Sequence, residues 1–342
     1  MNTGAGRHAS LAIFVPHAGC PHACSFCDQR RISGATCMPD AAKVREACEE
    51  FIKSRRPDTV AEIAFFGGSF TAIPCDITDR LLAAAYPYVR SGDFTGIRVS
   101  TRPDAMNGEI AENLKSYGVT VVEFGAQSMD DDVLEANMRG HTADDVRAAV
   151  GIVRAAGMKL GLQMMTGLYH SDDAADIYSA RELALLAPDM VRVYPTVVVE
   201  GTRLAQLYRQ GEYTPPALDS AVSLCASLLR EFEMERGIPV IRMGLHADPS
   251  LERNIIAGPW HPAFRELCEG RLFREMAEQL MRTADDRGAV LVVNPCDMSK
   301  LTGQRRCNIA YFAERGYNVK IEQDSSCERG KIFLKKAGEA VG

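Results

Sequence analysis

Nowhere in its 342 residues does the chain carry an apolar run of about 18 residues, the length that marks a membrane-crossing helix. Met1 to Ser10 is polar and lacks the apolar stretch of a secretory leader, so the expected location is cytoplasmic. A surplus of positive charge is missing too. The 39 Lys and Arg stand against 45 Asp and Glu, a formal net charge of -6, which gives no general attraction to nucleic acid or to an anionic membrane. A local basic patch remains compatible with that total. No solenoid-type repeat and no low-complexity tract is visible. What is there is ordinary for a globular protein, with 46% hydrophobic and 25% charged residues. The length fits one large α/β barrel with an appendage, or two domains.

Cysteine is the exception to this plainness. There are eleven, an odd number, and three of them crowd between residues 20 and 27 while the other eight are scattered. A secreted disulfide framework belongs in a short, loop-rich chain. In a reducing compartment a local cluster points to metal, and scattered thiols point to packing.

From about residue 10 to 200, short apolar runs alternate with longer amphipathic segments. Strands are expected at Leu11 to Val15, Ala61 to Phe66, Gly96 to Ser100, Thr120 to Ala126, Lys159 to Met165 and Met190 to Val199. Helices are expected at Ala41 to Ser54 (with Asp40 as N-cap), Asp76 to Val89, Gly108 to Tyr117, Asp144 to Ala156 and Asp172 to Leu186. Such regular alternation implies parallel strands with helices outside, either an open doubly wound sheet or an incomplete barrel. In both, chemistry belongs at the carboxyl ends of the strands. Beyond residue 200 the pattern loosens. Pro215-Pro216 precedes a helix over Asp219 to Glu235, and Pro239 to Leu245 could extend the sheet. A helix over Ala263 to Thr283 leads to strands at Val290 to Val293, Tyr317 to Ile321 and Lys331 to Leu334, with a helix at Arg305 to Glu314. The expected division is residues 1–249, the barrel with its flanking helices, and 250–342, a small α/β appendage.

Cys20-Pro-His-Ala-Cys24-Ser-Phe-Cys27 follows the first strand directly. Three thiolates at this spacing can hold three irons of a 4Fe-4S cube, leaving the fourth iron open to a ligand because no fourth cysteine is near. S-adenosylmethionine (SAM) can chelate such an iron through its amino and carboxylate groups. The rival is a structural zinc ion on the three cysteines with His17 or His22, in a protein that binds metal without catalysing anything. A position at the head of six β-α units favours the cluster.

C-x3-C-x2-C with Phe26 before the third cysteine resembles the signature of the radical SAM superfamily. Further motifs match in order. Phe65-Phe66-Gly67-Gly68-Ser69-Phe70 resembles the diglycine motif whose backbone meets the methionine amino group, where only glycine permits so close an approach. Ser69 stands where an acidic residue often follows. Ser100-Thr101-Arg102-Pro103-Asp104, Gln127-Ser128 and Arg139-Gly140-His141 resemble oxygen-independent coproporphyrinogen oxidase and, more closely, the radical SAM domain of Elongator's catalytic subunit. Val193-Tyr194-Pro195-Thr196 with Gly201-Thr202 adds to the second likeness. The resemblance implies an incomplete (β/α)6 TIM-type barrel, a 4Fe-4S cluster on Cys20, Cys24 and Cys27, and SAM as cofactor. Gly67, Gly68, Ser69 and Ser100 would contact SAM, with Gln127 on its ribose and Arg139 on its carboxylate. It leaves the residues that act on the substrate unknown. It also implies a flavodoxin- or ferredoxin-like reductant and RNA, a tRNA base, as substrate, with a small molecule such as a tetrapyrrole as the alternative. Elongator's subunit has a longer gap between its first two cysteines and ends in an acetyltransferase domain. The chain reads as a relative lacking that half, since no R-x-x-G-x-G/A coenzyme A loop appears.

Other residues have plainer readings. His141 is a helix-end neighbour and Tyr194 is as readily a core tyrosine as a lumen group. Cys296, Cys307 and Cys327 are too irregularly spaced for a second cluster. Residues 296–342 carry nine Lys and Arg against six Asp and Glu, and Arg305, Arg306, Lys335 and Lys336 form a candidate phosphate-binding face.

Overall fold

The computed structural model describes residues 7–15, 20, 24–28, 38–245, 249–284 and 288–335; His17, His22 and Lys336 lie outside them. The chain begins with β1 (Arg7–Phe14), α1 (Ala41–Ser54), β2 (Thr59–Phe66), α2 (Cys75–Arg90), β3 (Ile97–Thr101), α3 (Gly108–Ser116) and β4 (Val119–Gln127). It continues through α4 (Asp131–Ala136), α5 (Ala143–Ala155), β5 (Lys159–Thr166), α6 (Asp173–Leu185), β6 (Met190–Pro195) and β7 (Val198–Val199). Next come α7 (Arg203–Gln210), α8 (Leu218–Leu229), a π-helical turn Arg230–Glu235 and β8 (Val240–Met243). The remainder is α9 (Pro249–Asn254), β9 (Ile255–Ala257), α10 (Phe264–Ala284), β10 (Val290–Val293), α11 (Met298–Thr302), α12 (Cys307–Glu314), β11 (Lys320–Gln323) and β12 (Ile332–Lys335).

Helix starts follow the capping residues. Asp40 accepts the Lys43 amide, Asn107 that of Ile110 and Asp172 that of Ala175, each at 2.8 Å. Thr142 and Asp145 form a reciprocal capping box on α5. Each such cap is worth about 1 kcal/mol.

Seven strands run parallel in the order β1-β2-β3-β4-β5-β6-β8 and curl into a half-barrel, an incomplete TIM-type barrel. The sheet is one strand larger than the six expected, because Val240 and Met243 pair with Val191 and Val193 of β6. Ile63, Phe65, Ile97, Val99, Val122, Phe124, Leu160, Leu162, Val191 and Val193 face the helices, at most 1% exposed. Burying each such side chain contributes about 1.5–3 kcal/mol, so this layer dominates stability.

The alternate positions face the lumen and carry charge. Glu123 is fully buried and accepts from Arg192 Nε at 2.8 Å, Arg192 Nη2 at 3.1 Å and Gln163 Nε2 at 2.7 Å. Arg98 also holds Glu123, and grips Glu62 through Nε at 2.8 Å and Nη2 at 3.0 Å. A buried carboxylate is tolerable only when paired and fully hydrogen-bonded, which this network supplies.

Three expectations shift. The strand expected over Met190 to Val199 stops at Pro195, which has no amide hydrogen for the ladder. Val198 and Val199 turn aside to pair antiparallel with β9. The helix expected from Arg305 begins at Cys307, because Arg305 and Arg306 are left-handed at φ 52° and 62°. The strand expected at Tyr317 begins at Lys320, since the Tyr317 amide still closes α12 on Phe312 O at 3.0 Å.

In the tail, β10 pairs parallel with β11 and antiparallel with β12 over a core of Phe273, Met281, Leu291, Leu301 and Phe312. Helix α10 serves both cores: Phe264, Cys268 and Leu272 pack in the barrel's, Ala277 and Met281 in the tail's. Among the described residues no helix is long and apolar enough to cross a membrane.

Candidate functional site

The cysteine segment leaves β1 at the carboxyl end of the sheet, and the barrel holds it by a few buried contacts. Ser25 is inaccessible to solvent; its hydroxyl donates to Asn137 Oδ1 at 2.6 Å and its amide to Asn137 O at 3.1 Å. Its carbonyl accepts the Leu204 amide at 2.7 Å, at the start of α7. Phe26 packs against the cluster formed by Val198, Leu204, Ala205, Leu207 and Tyr213, which fastens the turn between Cys24 and Cys27 to the barrel wall.

The three thiols influence one another. Burial, then the charges of Cys24 and Cys20, push the Cys27 thiol up to about 12. Burial and Cys24 likewise raise Cys20. Three thiolates so close are mutually repulsive, and a bound cation removes that cost. Arg139 supplies part of the opposing field, donating from Nη1 to Cys24 Sγ at 3.1 Å. Among the described residues no three His, Cys, Asp or Glu side chains converge on a single metal ion, Cys296, Cys307 and Cys327 included.

At the end of β2, Gly67 and Gly68 both have positive φ, 94° and 22°. A side chain at Gly67 would be strained whatever the room around it. Ser69 is fully buried and acts within the protein: its hydroxyl meets Thr101 Oγ1 at 3.0 Å and accepts the Arg102 amide at 3.2 Å. This ties the glycine turn to the end of β3. Arg102 in turn forms a bidentate pair with Asp104, both contacts at 2.9 Å.

Among the described residues, buried polar atoms with no hydrogen-bond partner include Ser100 Oγ, Gln127 Oε1, His141 Nδ1 and the Nε of Arg139, the residue that bonds Cys24. Such atoms cost stability unless something pairs with them. Gln127 sits at φ 69°, where the register of β4 against β5 slips between Gly125 and Gln127. The bulge re-aims the side chain at the strand's end. Gly125 leaves the room this needs: a Cβ there would lie 2.8 Å from Gln127 Nε2 and 3.5 Å from Arg139 Nη2. Arg139 Nη2 donates to Gly125 O at 2.6 Å, so one guanidinium joins β4 to Cys24. Burial first, then Arg139 and Arg102, lower the His141 imidazole to about 4. Its Nε2, 3.2 Å from Ala126 O, carries the proton, which leaves Nδ1 as a bare acceptor.

The structure thus places Gly67, Gly68, Ser100 and Gln127 at the carboxyl ends of β2, β3 and β4, and Arg139, in the link from α4 to α5, reaches from Gly125 O to Cys24 Sγ. These residues fit a cluster with a polar ligand on it: three thiols, an adjacent guanidinium, a glycine turn and orphaned donors and acceptors. Two residues central to the arrangement were not singled out in the sequence. Asn137 had a signal, its place just before Met138-Arg139-Gly140-His141. Thr196, fully buried with an unpartnered hydroxyl, stands at the end of β6 within the Val193 to Thr196 stretch.

Comparison with known proteins agrees with this geometry. Residues 14–180 match the model of the radical SAM superfamily, and residues 188–274 that of the Radical_SAM C-terminal domain. The chain belongs to the radical SAM superfamily and is an enzyme. Among its relatives is a tRNA uridine(34) acetyltransferase of Methanocaldococcus jannaschii, 25% identical over 278 residues, covering 68% of this chain and 51% of that protein. Another is Elongator complex protein 3 of Dictyostelium discoideum, 29% identical over 238 residues, covering 62% of this chain and 40% of that one. The chain spans about half the length of the curated tRNA uridine(34) acetyltransferases it matches. The solved Methanocaldococcus infernus Elp3, with an N-terminal deletion, shares the fold at a TM-score of 0.60 and 20% identity, covering 81% of this chain and 63% of that one. Membership implies a 4Fe-4S cluster and SAM.

Proposed function

We propose that Cys20, Cys24 and Cys27 hold a 4Fe-4S cluster and that the chain binds SAM beside it and cleaves it reductively to modify a base of RNA, in a tRNA. The observation that carries this reading is the set of unpartnered buried atoms of Ser100, Gln127, Arg139 and His141 next to three clustered thiols. When bound, a reduced cluster supplies one electron to the sulfonium, giving methionine and a 5′-deoxyadenosyl radical able to abstract hydrogen.

The chain's own residues prepare that chemistry. The Gly67-Gly68 backbone takes the SAM amino group, where a side chain would stand in the way. Arg139 offers its remaining N–H groups to the SAM carboxylate while holding Cys24 and Gly125. Gln127 Oε1 and His141 Nδ1 accept from the ribose hydroxyls, Ser100 donates, and Ser69 keeps the glycine turn on β3. A flavodoxin- or ferredoxin-like protein delivers the electron. The RNA substrate is supported by the names of the relatives and by exposed Arg305 and Arg306 in the tail. Lys335 contributes less, its ammonium being paired with Glu322 at 2.9 Å.

The test is anaerobic reconstitution followed by iron, sulfide and 5′-deoxyadenosine analysis. Iron and sulfide at about four each per chain, and 5′-deoxyadenosine after dithionite, are expected. Gly68→Val should retain iron and lose SAM binding. Stoichiometric zinc without iron would sink the cluster assignment, and tRNA binding no better than a random polyanion would sink the RNA assignment.

A further inference from the structure

Among the described residues, one guanidinium in the barrel lumen has no counter-charge. Three arginines face that space, Arg98 on β3, Arg192 on β6 and Arg242 on β8, against the two carboxylates Glu62 and Glu123. Arg98 and Arg192 consume both carboxylates. Arg242 donates from Nε to Gly244 O at 3.2 Å, and among the described residues no carboxylate pairs with it. It is half-buried, and burial together with the neighbouring Arg192 lowers its pKa. An unneutralised cation in a partly desolvated wall is costly, and an anion that seats there removes the cost.

Tyr194 supplies the second donor. Arg192 and Arg242 are register partners across β6 and β8, and Tyr194 lies two residues further on the same face. The Gly244 amide bonds Val193 O at 3.0 Å, so the Arg242 guanidinium, drawn toward Gly244 O, reaches the level of Tyr194. Burial raises the Tyr194 phenol above its ordinary value, against the opposing pull of the Arg192 and Arg242 charges. The phenol therefore keeps its proton at neutral pH, and among the described residues no acceptor takes it, so the hydroxyl is left to donate. Arg242 and the Tyr194 hydroxyl therefore present donors side by side, on the wall formed by the last two strands.

We propose that Arg242 and Tyr194 form an oxyanion subsite in the barrel lumen that takes a carboxylate or phosphate group of the substrate. The charge leaves no role there for a cationic or purely apolar group, and the planar fork of Arg242 suits two oxygens of one anion. As a substrate subsite this rests on the radical chemistry proposed above; as an anion site it stands without it.

The experiment uses the full chain, reconstituted anaerobically, and labels arginines with phenylglyoxal, read residue by residue by peptide mass spectrometry. Inorganic phosphate and malonate are the probes. Labelling of Arg242 should slow at least about twofold once either anion reaches its Kd, while exposed Arg305 labels as before. Tyr194→Phe should weaken that protection. Protection by phosphate alone assigns the group as a phosphoester, and by malonate alone as a carboxylate. The proposal is overturned if neither anion slows Arg242 at concentrations that would fill a millimolar site, or if only SAM does. The readout needs no SAM cleavage, so loss of the radical reading and loss of the anion site are seen separately.

Discussion

Ser25 and Asn137, 112 positions apart, meet in a pocket from which both are excluded from solvent, hydroxyl to carboxamide oxygen at 2.6 Å. The same asparagine donates from Nδ2 to Val133 O and Tyr169 O, both at 2.8 Å. One carboxamide therefore fixes the turn between Cys24 and Cys27 to the end of α4 and to the loop after β5. These contacts to the barrel add to the turn's own backbone bond, from the Cys27 amide to Cys24 O at 3.1 Å.

Removing Asn137 should release that loop. Asn137→Ala leaves the buried Ser25 hydroxyl and the Tyr169 carbonyl unpaired, while Val133 O keeps the residue 137 amide at 3.1 Å, and should cost about 2–4 kcal/mol, whereas Ser25→Ala leaves only one acceptor and should cost about 1–2. Urea midpoints measure both. Iron retained after gel filtration should fall more in the Asn137 variant. Equal midpoints for the two would show that the carboxamide is not the fastener.

His141 sets a pH dependence whose sign follows from its shift. The folded imidazole titrates at about 4 against an ordinary 6.5, so between those values the unfolded chain binds the extra proton. Stability from this group is complete above pH 6.5 and is lost as pH falls toward 4, by up to about 3 kcal/mol. Urea unfolding from pH 7.5 to 5 should show the loss, and His141→Gln should flatten that part of the slope. A parallel slope in the variant would mean that other groups carry it.

Periodicity made most of the barrel readable. Helix α1 and strand β10 fall where expected, and the glycine turn, Ser100 and Gln127 lie at strand ends. What stayed hidden has physical causes. Helix α4 is six residues long, too short to show an amphipathic period. Charged residues at alternate positions, such as Arg98, Glu123 and Arg192, read as a strand face turned to water; in a curled sheet that face is the lumen. Arg305 and Arg306 adopt a left-handed turn that composition does not signal. Asn137 matters through a partner more than a hundred residues away, which no local window contains.

Asp176 should respond to pH in the opposite direction from His141. Burial raises its carboxyl to about 6, although Ser171 Oγ and the Gly167 amide, at 2.6 and 2.7 Å, favour the charged form. The folded chain therefore holds the proton that the unfolded chain has released, and stability falls as pH rises from 3.8 through 6. Asp176→Asn keeps an acceptor for Gly167 without the charge. It should be more stable than the parent by about 1–3 kcal/mol at pH 7.5, an advantage that shrinks below pH 6. Thermal melts at the two pH values test this, and an advantage independent of pH would assign the effect to something other than the buried charge.

Gly125→Ala isolates the ligand side of the site from the cluster side. A methyl group there would lie 2.8 Å from Gln127 Nε2 and 3.5 Å from Arg139 Nη2, so the ends of both side chains must move. Those ends are flexible, and the β4 backbone itself meets no obstacle, so the fold and the three cysteines should be unaffected. What changes is the aim of Gln127 Oε1 and Arg139 toward SAM. Losing the alignment of one charge-assisted contact should weaken SAM binding by about tenfold or more, equivalent to about 1.4 kcal/mol, with iron content unchanged. Calorimetric titration of SAM into parent and variant, with iron assayed on the same samples, separates the two effects. If the variant binds SAM like the parent, Gln127 and Arg139 do not grip the ligand from the positions assigned to them. If iron falls together with affinity, the bond from Arg139 to Cys24 is what the added methyl disturbs.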